Sequence, residues 1–225
     1  MELIGNLSVV IPMHNGRKFI DRAIASVERI SQTIEIIVVE NGSTDDSFDY
    51  VSNKFPHIKL LILHAPSKSN ARNLGAEVAR NSIVTFLDQD DELLEARIQN
   101  QYLFDAMLGQ VVIGTQIFDP SEFLLMPTYL QNSKNKHLPN YHPISMLISR
   151  TVFLEKGLFD PGFDLAEDFE ILTRLQRKNI PIKFIAEGFV LRHFHEANES
   201  HKVKKAESEM FRMLRLNIKE RSKEN

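Results

Sequence analysis

Residues 7–39 are LSVVIPMHNGRKFIDRAIASVERISQTIEIIVV, and this stretch decides the fold class. Leu7–Pro12 and Ile34–Val39 are short, continuous apolar runs of the kind that forms buried strands. Between them, apolar residues recur at helical spacing from Phe19 to Ile30. A strand, a helix and a second strand predict an α/β protein with a parallel sheet covered by helices.

The same alternation continues along the chain. Helical faces are predicted around Ala71–Ala79, Leu93–Leu103 and Val152–Lys156, and a helix begins near Glu167. The further predicted strands are Ile58–Leu63, Ile83–Leu87, Val111–Ile117, Ile180–Ile185 and Phe189–Phe194, and regular structure is expected to resume at Ile144–Ser149. Sheets of this class bind ligands at the carboxyl ends of their strands, so the functional site is expected there.

Composition excludes several classes of protein. The 27 Lys and Arg residues against 30 Asp and Glu give a net charge of −3, which disfavours nucleic-acid binding. We find no apolar run of bilayer-spanning length and no signal-peptide pattern, and the lack of Cys agrees with a cytoplasmic protein. Without Cys, any metal must be held by carboxylates or His.

Two segments depart from the alternation. Residues 119–143 are rich in Pro, Asn, Ser and Tyr without a clear period, which is typical of a functional or mobile loop. Residues 202–225 carry eight Lys and Arg and four Glu, with a helical apolar stripe that includes Met210 and Met213 or Leu214. This tail is predicted either to pack on the body as an amphipathic helix or to contact an anionic membrane or a partner protein.

The acidic run after the fourth strand is the strongest chemical feature. Four acids fall within the five residues Asp88–Glu92. Carboxylates this close repel one another unless a cation lies among them, and hard divalent ions prefer oxygen ligands. A solvated turn that caps the next helix is the alternative interpretation.

Polar residues also follow the first two strands and open the third helix. MHNG at 13–16 and ENGSTDD at 40–46 are predicted to read a base edge or to form ordinary turns, and Gly42 would let a ligand approach the backbone. Arg72 is predicted either to pair with a phosphate or to be a surface residue.

These pieces together resemble the family 2 glycosyltransferases. The resemblance rests on VVIPMHNG, IIVVENGSTDDS, SNARNLGAEVAR and VTFLDQDDEL, and continues through LEKGLFDPGFDLAEDFEILTRL to LRHFHEANES, so it covers about residues 7–200. It implies a GT-A fold, a Rossmann-like mixed sheet flanked by helices, in a domain of residues 1–200 followed by a helical tail at 201–225. The nucleotide-binding half would span about 1–118 and the acceptor half about 119–200.

The resemblance also implies the reaction and its residues. Such enzymes move a sugar from a nucleotide sugar to a hydroxyl, usually with inversion, in the synthesis of glycans, polysaccharides or glycoconjugates. Asp168 would be the catalytic base, with Glu167 orienting it or binding acceptor. A Mn²⁺ or Mg²⁺ ion would be held by Asp88, Asp90, Asp91 and His195. The nucleotide-sugar pocket would be lined by Pro12, Asn15, Glu40, Asn41, Arg72, Asp88, Gln89 and Asp90.

The chemistry of these residue types agrees with those roles. A divalent ion can neutralise the departing diphosphate, and a carboxylate can take the proton of the attacking hydroxyl. An acidic pair at a helix start can also simply complement the helix dipole. His193 and His195 are predicted to share one strand face, and we favour His195 as the ligand.

Departures from the family pattern leave the substrates open. His14 stands where an aromatic residue is common, and Asn41 where many members have an Asp. The donor therefore stays open among UDP-, dTDP- and GDP-sugars, and the acceptor is unassigned. A catalytically inactive nucleotide- or carbohydrate-binding module is the alternative function. A dinucleotide-dependent oxidoreductase is disfavoured, because MHNG has one Gly where G-x-G-x-x-G is needed.

Overall fold

The computed structural model describes residues 3–118, 120–126, 138–139, 145–196, 198 and 208–216. The strands are β1 (Leu7–Met13), β2 (Glu35–Glu40), β3 (Lys59–Ile62), β4 (Ile83–Phe86), β5 (Glu92–Leu93), β6 (Val111–Phe118), β7 (Leu138–Pro139), β8 (Met146–Ser149) and β9 (Ile182–Arg192). The helices are α1 (Ile20–Ile30), α2 (Ser47–Lys54), α3 (Lys68–Val78), α4 (Asn100–Met107), α5 (Arg150–Val152) and α6 (Glu167–Arg177). Short 3₁₀ or π turns lie at Leu3–Asn6, Glu95–Ile98, Pro120–Leu125 and Phe153–Gly157.

These strands form one mixed sheet in the order β3-β2-β1-β4-β8-β6-β9-β5, with β7 beside β6. The predicted α/β class with a mixed sheet flanked by helices is confirmed. The first four strands are parallel, whereas β8 runs antiparallel to both β4 and β6. The alternation pattern alone indicated a parallel sheet, because Met146, Leu147 and Ile148 are all buried and such a run carries no signal of strand direction.

Helices cover both faces of the sheet, as the side-chain alternation along β1 requires. Val9 and Ile11 pack into the cluster formed with α1, α2 and α4, while Val10 packs into the cluster formed with α3 and α6. The approach of α3 to β1 is close, since a Cβ on Gly75 would lie 2.3 Å from Val10 Cγ1. The hydrogen bond from Arg72 in the first half of α3 to Asp88 places that half of the helix beside the carboxyl end of β4.

Two predicted elements differ from the structure. The two strands expected at Ile180–Ile185 and Phe189–Phe194 are one continuous strand, β9, because β6 pairs with it along most of its length through two register shifts. The helix expected over Leu93–Leu103 is instead β5, a 3₁₀ turn and α4. Leu93 pairs with Val190 and its N–H donates to Ser26 Oγ, so tertiary contacts override the helical spacing.

The loop and the tail are described only in part. Of residues 119–143, the described positions form the turn Pro120–Leu125 and strand β7; the rest of this predicted loop lies outside the described residues. Residues 208–216 are helical, as predicted, and Met213 rather than Leu214 is the buried member of the stripe. The remaining tail positions, Val203, Ala206 and Ile218 included, lie outside the described residues.

Within the described part of the chain, no helix has the length and apolarity that a membrane span requires.

Candidate functional site

The carboxyl ends of β1, β2 and β4 lie side by side and carry the predicted site. Met13 pairs with Glu40, and Val10 pairs with Phe86, so the residues that follow each strand meet at one edge of the sheet. Pro12 is itself a strand residue, buried and paired with Val39.

Polar side chains at this edge join the loops to one another. Asn15 has a φ of 50°, and its Oδ1 accepts from Thr44 N–H at 2.8 Å, while its N–H donates to Ser43 Oγ. Glu40 accepts a short hydrogen bond from Ser43 N–H. Asn41 Oδ1 accepts from Ser67 N–H at 2.7 Å. The residues predicted to read a base edge therefore join the loops that follow β1, β2 and β3 to one another.

The backbone conformation at position 42 and the nearby ring of Pro66 both require a glycine. Its φ is 77°, and a Cβ would lie 2.4 Å from Pro66 Cγ. The structure gives this glycine a conformational and a packing reason, and access of a ligand to its backbone stays a prediction.

Gln89 links the loop that carries Asp88, Asp90 and Asp91 to the end of β1 through two hydrogen bonds. Its Oε1 accepts from His14 N–H and its Nε2 donates to His14 carbonyl, both at 2.9 Å. The two hydrogen bonds fix the separation between the β1 loop and the loop that carries the aspartates.

Asp88, Asp90 and Asp91 bring carboxylate oxygens within 4.8 Å of one another. Asp91 is buried, and its Oδ1 accepts from His193 N–H. Burial and the nearby charge of Asp90 raise the pKa of Asp91 well above its ordinary value, against a lowering by Arg192. A divalent cation would relieve this repulsion, so an all-oxygen donor set of this kind fits Mg²⁺ or Mn²⁺.

Arg72 is fully buried and bridges two of the predicted acidic groups. Nη2 donates to Asp88 Oδ1 at 2.8 Å, and Nη1 donates to Glu167 Oε1 at 3.0 Å. The expected surface alternative for Arg72 is wrong, because α3 packs on the sheet and directs the guanidinium inward. The residue instead couples the aspartate cluster to the acidic pair.

Asp168 follows Glu167 in the first turn of α6 and is half-buried. Desolvation and the negative charge of Glu167 raise the pKa of Asp168 to about 7, although the Phe169 N–H and Arg72 act in the opposite direction. The carboxylate of Glu167 is occupied by Arg72, whereas Asp168 is poised to gain and lose a proton near neutrality.

His195 lies at the aspartate cluster. Its Nε2 is 2.9 Å from Asp90 Oδ2, which also accepts from Asn198 Nδ2 at 3.1 Å. The ring stacks on Phe19 with centroids 4.4 Å apart. Its Nδ1 is buried and has no hydrogen-bond partner among the described residues.

His193 faces away from this cluster, which corrects the expectation that the two histidines share a strand face. Strand β9 ends at Arg192, before either residue. His193 Nδ1 is 2.9 Å from Glu122 Oε1 and its Nε2 is 3.0 Å from Glu92 Oε1. Its ring therefore ties Glu122 to the end of the acidic run.

Sequence reasoning missed several supporting residues. Glu122 and Phe19 carried no motif signal, and their contacts to His193 and His195 depend on the fold alone. Arg22 also was not selected, although its guanidinium donates to the Asp90 carbonyl at 2.7 Å. Arg22 lies 68 residues before Asp90, so no local sequence pattern links it to the acidic run.

Comparison with known proteins shows which family the chain belongs to. The family model described as glycosyl transferase family 2 matches residues 8–156. The uncharacterized glycosyltransferase YibD of Escherichia coli K12 is 38% identical over 99 residues, which cover 41% of this chain and 28% of YibD. The O-antigen biosynthesis glycosyltransferase WbnJ of Escherichia coli is 26% identical over 193 residues, covering 78% of this chain and 73% of WbnJ.

The fold also has solved counterparts. The crystal structure of residues 1–349 of Staphylococcus aureus TarS in complex with UDP-GlcNAc superposes with a TM-score of 0.67 at 17% identity, over 87% of this chain and 60% of that one. This likeness confirms the predicted GT-A-type architecture. The chain spans well under half the length of YibD, so the substrates of a whole protein do not transfer to it directly.

Proposed function

The chain belongs to glycosyl transferase family 2, and from this membership we propose that it transfers a sugar from a nucleotide sugar to an acceptor hydroxyl with inversion. The observation that carries the proposal is the cluster of Asp88, Asp90 and Asp91 at the carboxyl edge of the sheet, coupled by Arg72 to Glu167. This arrangement supports a site for a diphosphate leaving group beside a carboxylate pair.

Asp168 is the proposed general base. A carboxyl with a pKa of about 7 accepts a proton more readily than an ordinary Asp and is still largely ionised above neutral pH. As the acceptor oxygen bonds to the anomeric carbon, its proton passes to Asp168 and the bond from that carbon to the diphosphate breaks. One displacement inverts the anomeric centre.

Glu167 has a different role in this proposal. Its ion pair with Arg72 fixes the position of its carboxylate, so it orients the start of α6 or binds the acceptor. Its negative charge also raises the pKa of Asp168, which suits the base.

Mn²⁺ or Mg²⁺ is the proposed cofactor, held by Asp88, Asp90, Asp91 and His195. When bound, such an ion supplies positive charge to the departing diphosphate. The protein's own part is to hold these carboxylates in place, through Arg72 on Asp88 and through His195 and Asn198 on Asp90.

The donor pocket is proposed to lie in the half of the chain before residue 119. Pro12, Asn15, Glu40, Asn41 and Gln89 line the same sheet edge and would contact the nucleoside. A UDP-sugar is favoured over dTDP- and GDP-sugars because the TarS structure of the same fold contains UDP-GlcNAc. The O-antigen role of WbnJ supports a glycan acceptor, bound by the half that follows residue 118.

A thermal-shift panel tests the proposal with UDP, dTDP and GDP, each with and without Mn²⁺. A ligand that binds only the folded state raises its stability, so one nucleotide should raise the melting temperature in a metal-dependent way. Transfer is then measured with the matching sugar nucleotide. Metal-dependent binding without transfer to any glycan would favour the inactive binding module. No shift with any nucleotide would contradict the transferase and favour a module that binds carbohydrate.

A further inference from the structure

The helix at residues 208–216 packs on the loop that leads into the acidic pair. Met213 is buried against Phe163 and Ala166. Arg212 Nη1 donates to the Gly162 carbonyl at 2.9 Å, and its guanidinium lies 4.9 Å from the centre of the Phe163 ring. These contacts bring the C-terminal part of the chain to within one residue of Glu167.

One carboxylate oxygen of this helix accepts hydrogen bonds from three successive residues at the end of that loop. Glu209 Oε2 accepts hydrogen bonds from the N–H groups of Asp164, Leu165 and Ala166, at 3.0, 2.8 and 3.1 Å. Successive N–H groups that converge in this way form a concave anion site, and here its occupant is the protein's own side chain. Charge-assisted bonds to backbone are stronger than neutral ones, so they restrain these three residues.

The other side of the same loop is held by α3. Asn73 exchanges two hydrogen bonds with the backbone of Phe159, both at 2.9 Å, and Ser69 Oγ donates to the Phe163 carbonyl at 3.4 Å. Residues 159–163 are thus anchored from α3, whereas 164–166 depend on Glu209 for the contacts that the structure gives their N–H groups. Asp168 lies two residues after Ala166.

We infer that Glu209 is a positioning residue for the general base: it holds the backbone of residues 164–166 so that α6 presents Asp168 at a fixed place and angle. This inference rests on the proposed function. Glu209 acts only through the loop, so it should affect the chemical step rather than donor binding. Small misplacements of a catalytic group reduce rate strongly, because reactivity depends on the orientation of the reacting atoms.

The test compares full-length Glu209→Ala and Glu209→Gln with the wild type and with Glu155→Ala, a change at an exposed glutamate of the Phe153–Gly157 turn. Glu209→Ala should lower kcat about 10- to 100-fold, with the KM for donor and the Mn²⁺-dependent affinity for UDP changed by less than about twofold. Glu209→Gln keeps an acceptor oxygen and should recover most of the lost kcat. Glu155→Ala should match the wild type.

Hydrogen exchange gives a readout independent of turnover. Amides of residues 164–166 should exchange faster in Glu209→Ala than in wild type, with protection of the β1 and β4 amides unchanged. Unchanged kcat in Glu209→Ala, unchanged exchange at 164–166, or an equal loss of UDP affinity would each overturn the positioning role. A wild type that binds UDP but transfers no sugar would instead overturn the proposed function, and the inference with it.

Discussion

Arg72 and Glu167 lie 95 residues apart in the chain and form a buried ion pair, with Nη1 3.0 Å from Oε1. The side chain of Arg72 has no solvent exposure and that of Glu167 is 5% exposed. The second arm of the guanidinium reaches Asp88. A single side chain thereby sets the spacing between the aspartate cluster and the first turn of α6.

Replacement of Arg72 by Ala should destabilise the protein severely. Removal of one partner leaves Glu167 buried without its countercharge, which typically costs about 3–5 kcal/mol. Urea denaturation would measure this loss in the free energy of unfolding. Arg80→Ala is the control: the side chain of Arg80 is 79% exposed, and its buried partner Glu35 would keep Lys59 at 3.7 Å and the N–H of residue 80 at 2.8 Å, so the loss should be smaller. Equal losses in the two variants would contradict the bridging role.

Two pH dependences of opposite direction should follow from Asp168: as pH rises, the stability of the protein should fall and its activity should rise. Its folded-state pKa of about 7 lies above the ordinary value of 3.8, so the folded state holds a proton that the unfolded state has released. Stability contributed by this group is therefore present at low pH and is lost as pH rises from about 4 to 7. Activity should rise over the upper part of the same range, as the base ionises.

The variant Asp168→Asn separates these effects. It should remove the decline in stability between pH 4 and 7, lower kcat by about 10²–10⁴-fold, and leave UDP binding intact. Unfolding curves and single-turnover transfer over a pH series would measure both. Normal transfer by Asp168→Asn would show that another group is the base.

Asp90→Asn should weaken the Mn²⁺ dependence of UDP binding by at least about tenfold, because it removes the negative charge of a proposed metal ligand and leaves a neutral amide oxygen opposite His195. Isothermal titration with UDP at several Mn²⁺ concentrations would measure this change. Asp46→Asn is the control, since the side chain of Asp46 is 71% exposed. Metal-dependent binding that survives Asp90→Asn unchanged would exclude Asp90 as a ligand.

Gly16→Ala should disturb the β1 loop. A Cβ there would lie 2.3 Å from Gln89 Oε1 and 2.8 Å from Met13 Cγ, so Gln89 would lose its hydrogen bonds to His14. Overpacking of this kind costs about 1–3 kcal/mol, and UDP affinity should fall with it. Gly5→Ala is the matched control, because no atom lies within 4 Å of its Cβ position. Similar unfolding midpoints for the two variants would refute the clash.

The sequence was informative where a side-chain pattern has one structural meaning. The continuous apolar runs at Leu7–Pro12 and Ile34–Val39 correspond to β1 and β2 within a residue or two. The acidic run after β4 was located correctly because it directly follows a buried strand. In contrast, the antiparallel direction of β8 and the continuity of β9 depend on which strand lies beside each, and no local pattern records that.

At the site, residue types were predictable and partners were not. Asp88, Asp90, Asp91 and His195 do come together, as the spacing and the resemblance implied. His193 and His195 were predicted to share one strand face, yet His193 lies between Glu122 and Glu92. Glu209 was one of several charges in a basic tail, and its three backbone donors come from a loop some 45 positions earlier.

The sequence by itself determined the α/β alternation, the place of the acidic run and the membership in a glycosyltransferase family, because those depend on local periodicity and on ordered motifs. The tertiary structure alone decided that Arg72 joins Asp88 to Glu167 and that Asp168 has a raised pKa. Both follow from burial and from charges brought together across the fold, and desolvation is a property of the packed chain rather than of any segment of it.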